Sequence, residues 1–460
     1  MISNSDSPNQ KNLLMPNLSE MLDPLDPIFI LGNNLPWEEL ENNFIHLYSE
    51  RGRPSKPIRL MVTLLLMQYM ESLSDEKVVV KWKQNPYWQY CSGMVVLQHK
   101  PPCDPSELSY FRKRIGKNGA EKILQFSANL FSDEIEKEDS ILVDTTVQEK
   151  NITYPTDDKL HKNMLLRLLE ISQEEKINLG ISSQKVKQWF REATIKRNKQ
   201  ARNKAKRARK KLKGKARVAL EKFAQIMTGT RLIPYLEEYF IWTRALEYGQ
   251  KGKKKVYSLH EPHVEAINKG KAGKTWEYGN KISVARTAKS KVIVGIIHLS
   301  NNKYDGNTLG EVLEQTEEIA GKRFTYVGCD RGYKGAEIIR GSRIISPQNL
   351  QKKSFLPFYN LGKNLLRLRS GIEATISYLK REFKMNRSFL KGEEGDKVNS
   401  LLSGAAHNIR KFMLKIHMEL LKESHEYQIK EQKRKGKKLG RKSSNEMFNK
   451  QSCNQLELSF

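Results

Sequence analysis

The sequence predicts an α/β protein: a mixed sheet flanked by helices, preceded by an all-helical segment and split by a basic helical insert. Three observations carry that expectation. A β-branched run, Ser140 to Val147 (SILVDTTV), interrupts a helical pattern in the manner of a central strand buried on both faces. About a hundred residues of helical composition follow. Strand-like segments then resume and alternate with helices, the succession expected of a layered sheet.

Taken in order, residues up to about Asn43 are polar and Pro-interrupted, with little sustained periodicity. From Lys56 the pattern is helical. Leu60 to Met67 (LMVTLLLM) reads as a buried helix, since it is far shorter than the roughly 20 apolar residues that cross a bilayer. Ser74 is placed to cap a helix running to Lys83, with Asp75 and Glu76 in its first turn. Asp104-Pro105-Ser106-Glu107 opens another, which Gly116 is expected to stop. Because that helix carries Arg112, Lys113 and Arg114, residues 1–135 are expected to form a helical DNA-binding domain. The alternative is a packing domain with a solvated basic face. The sheet domain is expected over 136–158 and 256–415, with five strands at Ser140–Val147, Glu277–Ala285, Lys291–Leu299, Phe324–Cys329 and Arg343–Ser346. Helices are expected at Thr308–Ile319 and from about Leu365 to Lys384.

Charge points to a polyanionic partner. The 460 residues contain 81 Lys or Arg against 52 Asp or Glu, a formal net charge of +29 with a pI near 9.7. The insert, 159–255, holds the densest part: fourteen Lys or Arg between Arg191 and Arg217 against one acid, Glu192. A helix there would be basic all round and unfit for a core, because each buried unpaired ammonium costs several kcal/mol. Arg202, Lys206, Arg207, Arg209 and Lys210 are therefore expected to lie on phosphates. A second basic stretch, Lys430 to Lys442, lies in a tail, 416–460, that is expected to be disordered. The first fifteen residues lack the features of a signal peptide, and the four cysteines include no C-x-x-C pair. Free thiols and a cytoplasmic, nucleoid-associated protein without a membrane partner are expected.

Three acids stand out against this background. Asp144 interrupts the most buried strand, where an isolated carboxylate is disfavoured unless it is paired or binds a cation. Asp330 ends a strand and begins the turn Arg331-Gly332-Tyr333-Lys334-Gly335. Glu373 lies on the long helix, about 40° around the axis from Arg369 and about 20° from Lys380, with Ser377 and Lys384 on the same side. Leu365, Leu368, Ile372, Ile376, Leu379 and Phe383 form the stripe expected to face the core. If the first and fourth strands are neighbours, Asp144 and Asp330 stand side by side and the helix brings Glu373 across. Such a cluster requires cations. Hard ions such as Mg²⁺ suit it, and two of them suit in-line attack on a phosphodiester.

With Arg369 before Glu373 and Lys380 after it, these residues resemble the acidic triad and Arg-Glu-Lys signature of bacterial DDE transposases of the insertion-sequence-five family. RGRPSKPIRLMV (Arg51–Val62), NPYWQY (Asn85–Tyr90), YDGNTL (Tyr304–Leu309) and CDRGYKG (Cys329–Gly335) match in family order. Leu366 stands where the signature often carries Tyr. The resemblance implies an RNase H-like catalytic domain holding two Mg²⁺ ions, for which Mn²⁺ substitutes, on Asp144, Asp330 and Glu373. It also implies cleavage at terminal inverted repeats and joining of the freed 3′-hydroxyls to target DNA. Arg369, Lys380 and Lys384 are then expected to contact DNA, the N-terminal helices to read the repeats, and two copies to act on two ends as a homodimer. Only 42 residues separate Asp330 from Glu373, which leaves no room for a domain between them.

Two motifs are set aside. Gly270-Lys271-Ala272-Gly273-Lys274-Thr275 lacks the earlier glycine and preceding strand of a nucleotide-binding loop, so no nucleotide cofactor is expected. His260 and His263 are too close for a zinc helix pair, and Pro262 would break that helix. Two other functions fit the same residues: a DNA-binding regulator without catalysis, and a metal-dependent nuclease that cuts without joining.

Overall fold

The computed structural model describes residues 16–48, 54–195, 198–247, 255–268, 275–299, 304–333, 337–348, 350 and 356–434. Among these residues eight helices precede the first strand: α1 (Leu18–Met21), α2 (Pro27–Asn34), α3 (Trp37–Ile45), α4 (Ile58–Met70), α5 (Asp75–Gln84), α6 (Pro86–Cys91), α7 (Pro105–Asn129) and α8 (Ser132–Glu136). The segment up to Asn43, read as aperiodic, is therefore helical; its buried Leu18, Leu31, Leu40 and Phe44 are spread over three short helices, too few in each to set a period. Local capping explains several starts. The Asp26 carboxylate accepts from Ile28 and Phe29 N–H ahead of Pro27, the Ser74 hydroxyl accepts from Lys77 N–H, and Asp104 and Glu107 form a capping box. Gly116 does not end its helix. It takes φ 55°, ψ −161°, a kink that only glycine adopts cheaply, and the chain continues helically to Asn129.

β1 (Ser140–Lys150) leads into the insert, α9 (Asp157–Glu174), α10 (Ser183–Thr194), α11 (Lys199–Ile226) and α12 (Leu236–Glu247). The expectation of an all-round basic α11 with no place in a core is overturned. Ala205, Ala208, Leu212, Ala216, Ala219, Leu220 and Phe223, spaced mostly three or four apart, are buried. Leu212, Ala216, Ala219, Leu220 and Phe223 pack with Met164, Leu168, Val186, Trp189 and Trp242 into a core separate from that of the sheet. The cations occupy the remaining face.

The chain then forms β2 (Glu265–Ile267), β3 (Glu277–Thr287), β4 (Ile293–Leu299), α13 (Leu309–Ala320), β5 (Tyr326–Gly328), β6 (Ile338–Ile339), β7 (Ser342–Ile345), α14 (Leu356–Glu382), β8 (Arg387–Ser388) and α15 (Gly392–Arg434). Among the described residues the sheet has eight strands rather than five. The five expected ones form its body, in the order β4-β3-β1-β5-β7; β3 is antiparallel to both of its neighbours there, and β1, β5 and β7 run parallel. β2, β6 and β8 are pairings of two or three residues at its margins. α15 was not expected at all, and it carries helix through Arg434, well into the tail expected to be disordered. The rest of Lys430–Lys442 lies outside the described residues, as do residues 1–15, Arg51–Arg53, Gly270–Lys274, Lys334–Gly335 and Cys453.

Two layers of helices cover the sheet. Ile296, level with Val284, meets α15 at Gly404, and Gly328 lies against Leu142 of β1 and Leu365 of α14. Leu142, Asp144, Val284 and Ile296 thus share the face beneath α14 and α15, while Gly295 turns to Gln315 and Thr316 of α13 on the other. One continuous core joins the sheet to the N-terminal helices through α4, nearly every residue of which is buried. Among the described residues no helix is long and apolar enough to cross a membrane.

Candidate active site

Register decides where the two aspartates stand. In the parallel β1/β5 pair Leu142 is level with Gly328, the last paired residue of β5; Asp144 follows two residues further along β1, and Asp330 two residues past the end of β5. Both are half-buried. Asp144 accepts a hydrogen bond from the Thr145 N–H at 2.7 Å. Asp330 accepts one from Gly332 N–H at 2.8 Å, so it is also the turn residue that closes β5. Gly328 permits the approach of α14: a Cβ there would lie 2.7 Å from Leu142 Cδ2 and 3.0 Å from Leu365 Cγ.

The charges around the aspartates are legible at Cys329, the residue before Asp330. Burial pushes its thiol well up, the carboxylates of Asp330 and Asp144 add to the rise, and the Arg369 guanidinium opposes it. Arg369 of α14 is thus near enough to be felt at Cys329, and its side chain is mostly buried. Glu373, one turn on, does not join the aspartates. Its side chain is 65% exposed and lies 3.5 Å from Arg369 Nη2. Among the described residues no three carboxylate, histidine or cysteine side chains stand close enough to hold one ion. Asp144 and Asp330 both act on the Cys329 thiol, whereas the exposed Glu373 pairs with Arg369 across one helical turn. The core stripe of α14 holds except at Leu368, which is 42% exposed.

The other expected DNA contacts divide. Lys113, Arg114, Arg202, Lys206, Arg207 and Lys210 are exposed. Arg114 lies over the Tyr48 ring at 4.4 Å, and Arg209 is drawn to Asp158 at 3.0 Å and to the Ala193 carbonyl. Lys384 is not on the Glu373 stripe. α14 ends at Glu382, Lys384 takes φ 63°, and its ammonium donates inward to the Leu73 carbonyl.

Arg112 must be reassigned. It is buried, and its guanidinium forms a two-pronged pair with Asp75 besides donating to Gln68 Oε1 at 3.1 Å. Burial raises the Asp75 carboxyl, but the bonds from Arg112 and Gln68 outweigh it and hold the acid below its usual range. The Arg112 guanidinium is engaged by Asp75 and Gln68 rather than held out for a phosphate. Arg112→Ala is expected to cost about 2 to 3 kcal/mol, less than a fully buried pair because Asp75 keeps some exposure. Denaturant unfolding checks this, and the salt dependence of DNA binding should not change.

Two parts of the chain match known families. Residues 16–114 match the family described as Transposase domain (DUF772), and residues 249–409 match the Transposase DDE domain. Asp330, Arg369, Glu373 and Lys380 fall inside the second match; Asp144 lies outside both. An uncharacterized protein, ORF8 in the nfe locus of Rhizobium meliloti, is 34% identical over 177 residues, covering 38% of this chain and 86% of that protein. No solved structure matches.

Proposed function

Because the chain belongs to the bacterial DDE transposases, we propose that it cuts DNA at the terminal inverted repeats of an insertion sequence and joins the freed 3′ ends to a target. An RNase H-like sheet would carry Asp144, Asp330 and Glu373 as the acidic residues. The observation that supports this most is the parallel pairing of β1, which carries Asp144, with β5, which Asp330 follows by two residues, beneath α14.

The donor set suits hard divalent cations, since carboxylate oxygens at one level of a sheet are the ligands Mg²⁺ prefers. Asp144 and Asp330 would hold the ions, with Glu373 completing the set by leaving its exposed pairing with Arg369, an interaction worth only some tenths of a kcal/mol. When bound, the metal supplies an activated water and stabilises charge on the phosphodiester oxygens. Arg369, released from Glu373, then faces the phosphate beside the aspartates. Lys380 holds the backbone further along the helix.

The insert would grip DNA away from the cut through Arg202, Lys206, Arg207 and Lys210, which share the solvent face of α11. Replacing these four by Gln should flatten the fall of log K with log salt by about 0.9 for each phosphate no longer neutralised. An unchanged slope would remove the insert from the DNA path. Two ends cut together call for a homodimer on DNA. The test of the whole reading is an end-joining assay with element-end DNA, target DNA and Mg²⁺: joined products are expected, whereas cutting alone would leave a nuclease and binding alone a regulator.

A further inference from the structure

The end of α14 opens on a cavity of about 1170 Å³ between α5 and α7 on one side and the segment from Asn386 to Asn399 on the other. Seven of its lining side chains are basic and three are acidic, among them the mutually paired Arg112 and Asp75. Lys113, Lys380 and Lys391 bring cations to it from three different elements. Phe389 also lines it and is 67% exposed. Arg387 belongs both to this cavity and to a second of about 400 Å³, which Tyr154, Trp276 and Tyr278 line. There Tyr154 and Trp276 are 67% and 47% exposed.

Two adjoining cavities thus combine cations with exposed aromatic rings. A DNA duplex offers phosphates to the cations but hides its base faces. An unpaired strand offers both, and each base stacked on an aromatic ring is held by its π-face regardless of sequence. Position agrees with this. Lys380 is two helical turns past Glu373, about 10 Å along the axis. Arg387 is level with Glu149, five residues past Asp144 on β1 and so about 16 Å from it. The first is measured from Glu373 and the second from Asp144, and each is a few nucleotides' span.

We propose that these cavities bind a short unpaired DNA strand, with Phe389 and Trp276 stacking on bases and Lys113, Lys380, Arg387 and Lys391 following its phosphates. The proposal rests on the transposase reading, in that the strand would be one opened beside the cut. The test uses full-length protein without divalent metal and two duplexes of one sequence, one blunt and one with a short single-stranded overhang carrying 2-aminopurine. Wild type is expected to bind the overhang DNA about tenfold more tightly and to quench the 2-aminopurine. Phe389→Ala with Trp276→Ala should abolish both differences and leave blunt-duplex affinity unchanged. Equal affinity of wild type for the two duplexes, or a double variant that keeps the preference or loses blunt binding equally, would overturn the proposal. No cleavage is measured, so a failure here is distinct from a failure of the joining assay.

Discussion

Asp330→Asn is expected to lower Mg²⁺-dependent cleavage of element-end DNA by on the order of a thousandfold or more, with DNA affinity retained. The substitution is nearly isosteric. The Asn carbonyl oxygen still accepts from Gly332 N–H, so the turn that ends β5 is kept while the charge is lost. Asp144→Asn should behave alike, for its side-chain oxygen can still accept from Thr145 N–H. If the acids act as one metal-holding unit, the double variant is no worse than either single one. Glu373→Gln, which leaves the core packing untouched, should lose activity without any change in stability. Intact cleavage by Asp330→Asn would mean the chemistry lies elsewhere.

Asp396→Ala is expected to destabilise the fold by about 3 to 5 kcal/mol. Asp396 near the start of α15 accepts from the Lys150 ammonium at 2.8 Å, from Asn280 at 3.0 Å, and shares a 2.9 Å hydrogen bond with His263 Nε2. Lys150 and Asp396 are only 3% and 2% exposed, so removing the acid strands a buried cation, with Glu261 at 3.3 Å its remaining acidic partner. Burial pushes the Asp396 carboxyl up, yet the His263 and Lys150 interactions prevail and lower it. Its contribution is therefore complete above the ordinary carboxylate range and is lost as pH falls through the lower folded value. Urea unfolding across that acid window should show a shallower pH dependence in the variant. A loss under about 1 kcal/mol would show that the end of β1 and the start of α15 are held by packing instead.

What could be read in advance follows physical range. β1, β3, β4, β5, β7 and α5 announced themselves through local signals: β-branched runs and a capping serine. β2, β6 and β8 are two or three residues long and exist only through their partners in the sheet, so no period could reveal them. In α11 the buried stripe is mostly alanine, a weak hydrophobic signal beside so many cations. In α15 it is diluted by Ser400, Ser403 and Asn408, which are buried because each finds a hydrogen-bond partner. Arg112 looked like a surface cation because Asp75 is 37 residues away. At the site, the adjacency of β1 and β5, which bring Asp144 and Asp330 near each other, was expected from the sequence and is found. The orientation of Glu373 was not, because helical period fixes the face of a residue but not where a long, exposed side chain pairs, here with Arg369.

Crystals of the protein with an element-end DNA and Mn²⁺ test the central claim most directly, through the anomalous scattering of the metal. Anomalous peaks are expected within coordination distance of the Asp144 and Asp330 carboxylates, with Glu373 turned away from Arg369 toward them. DNA bound in place with the peaks elsewhere, or with none at the two aspartates, would contradict it.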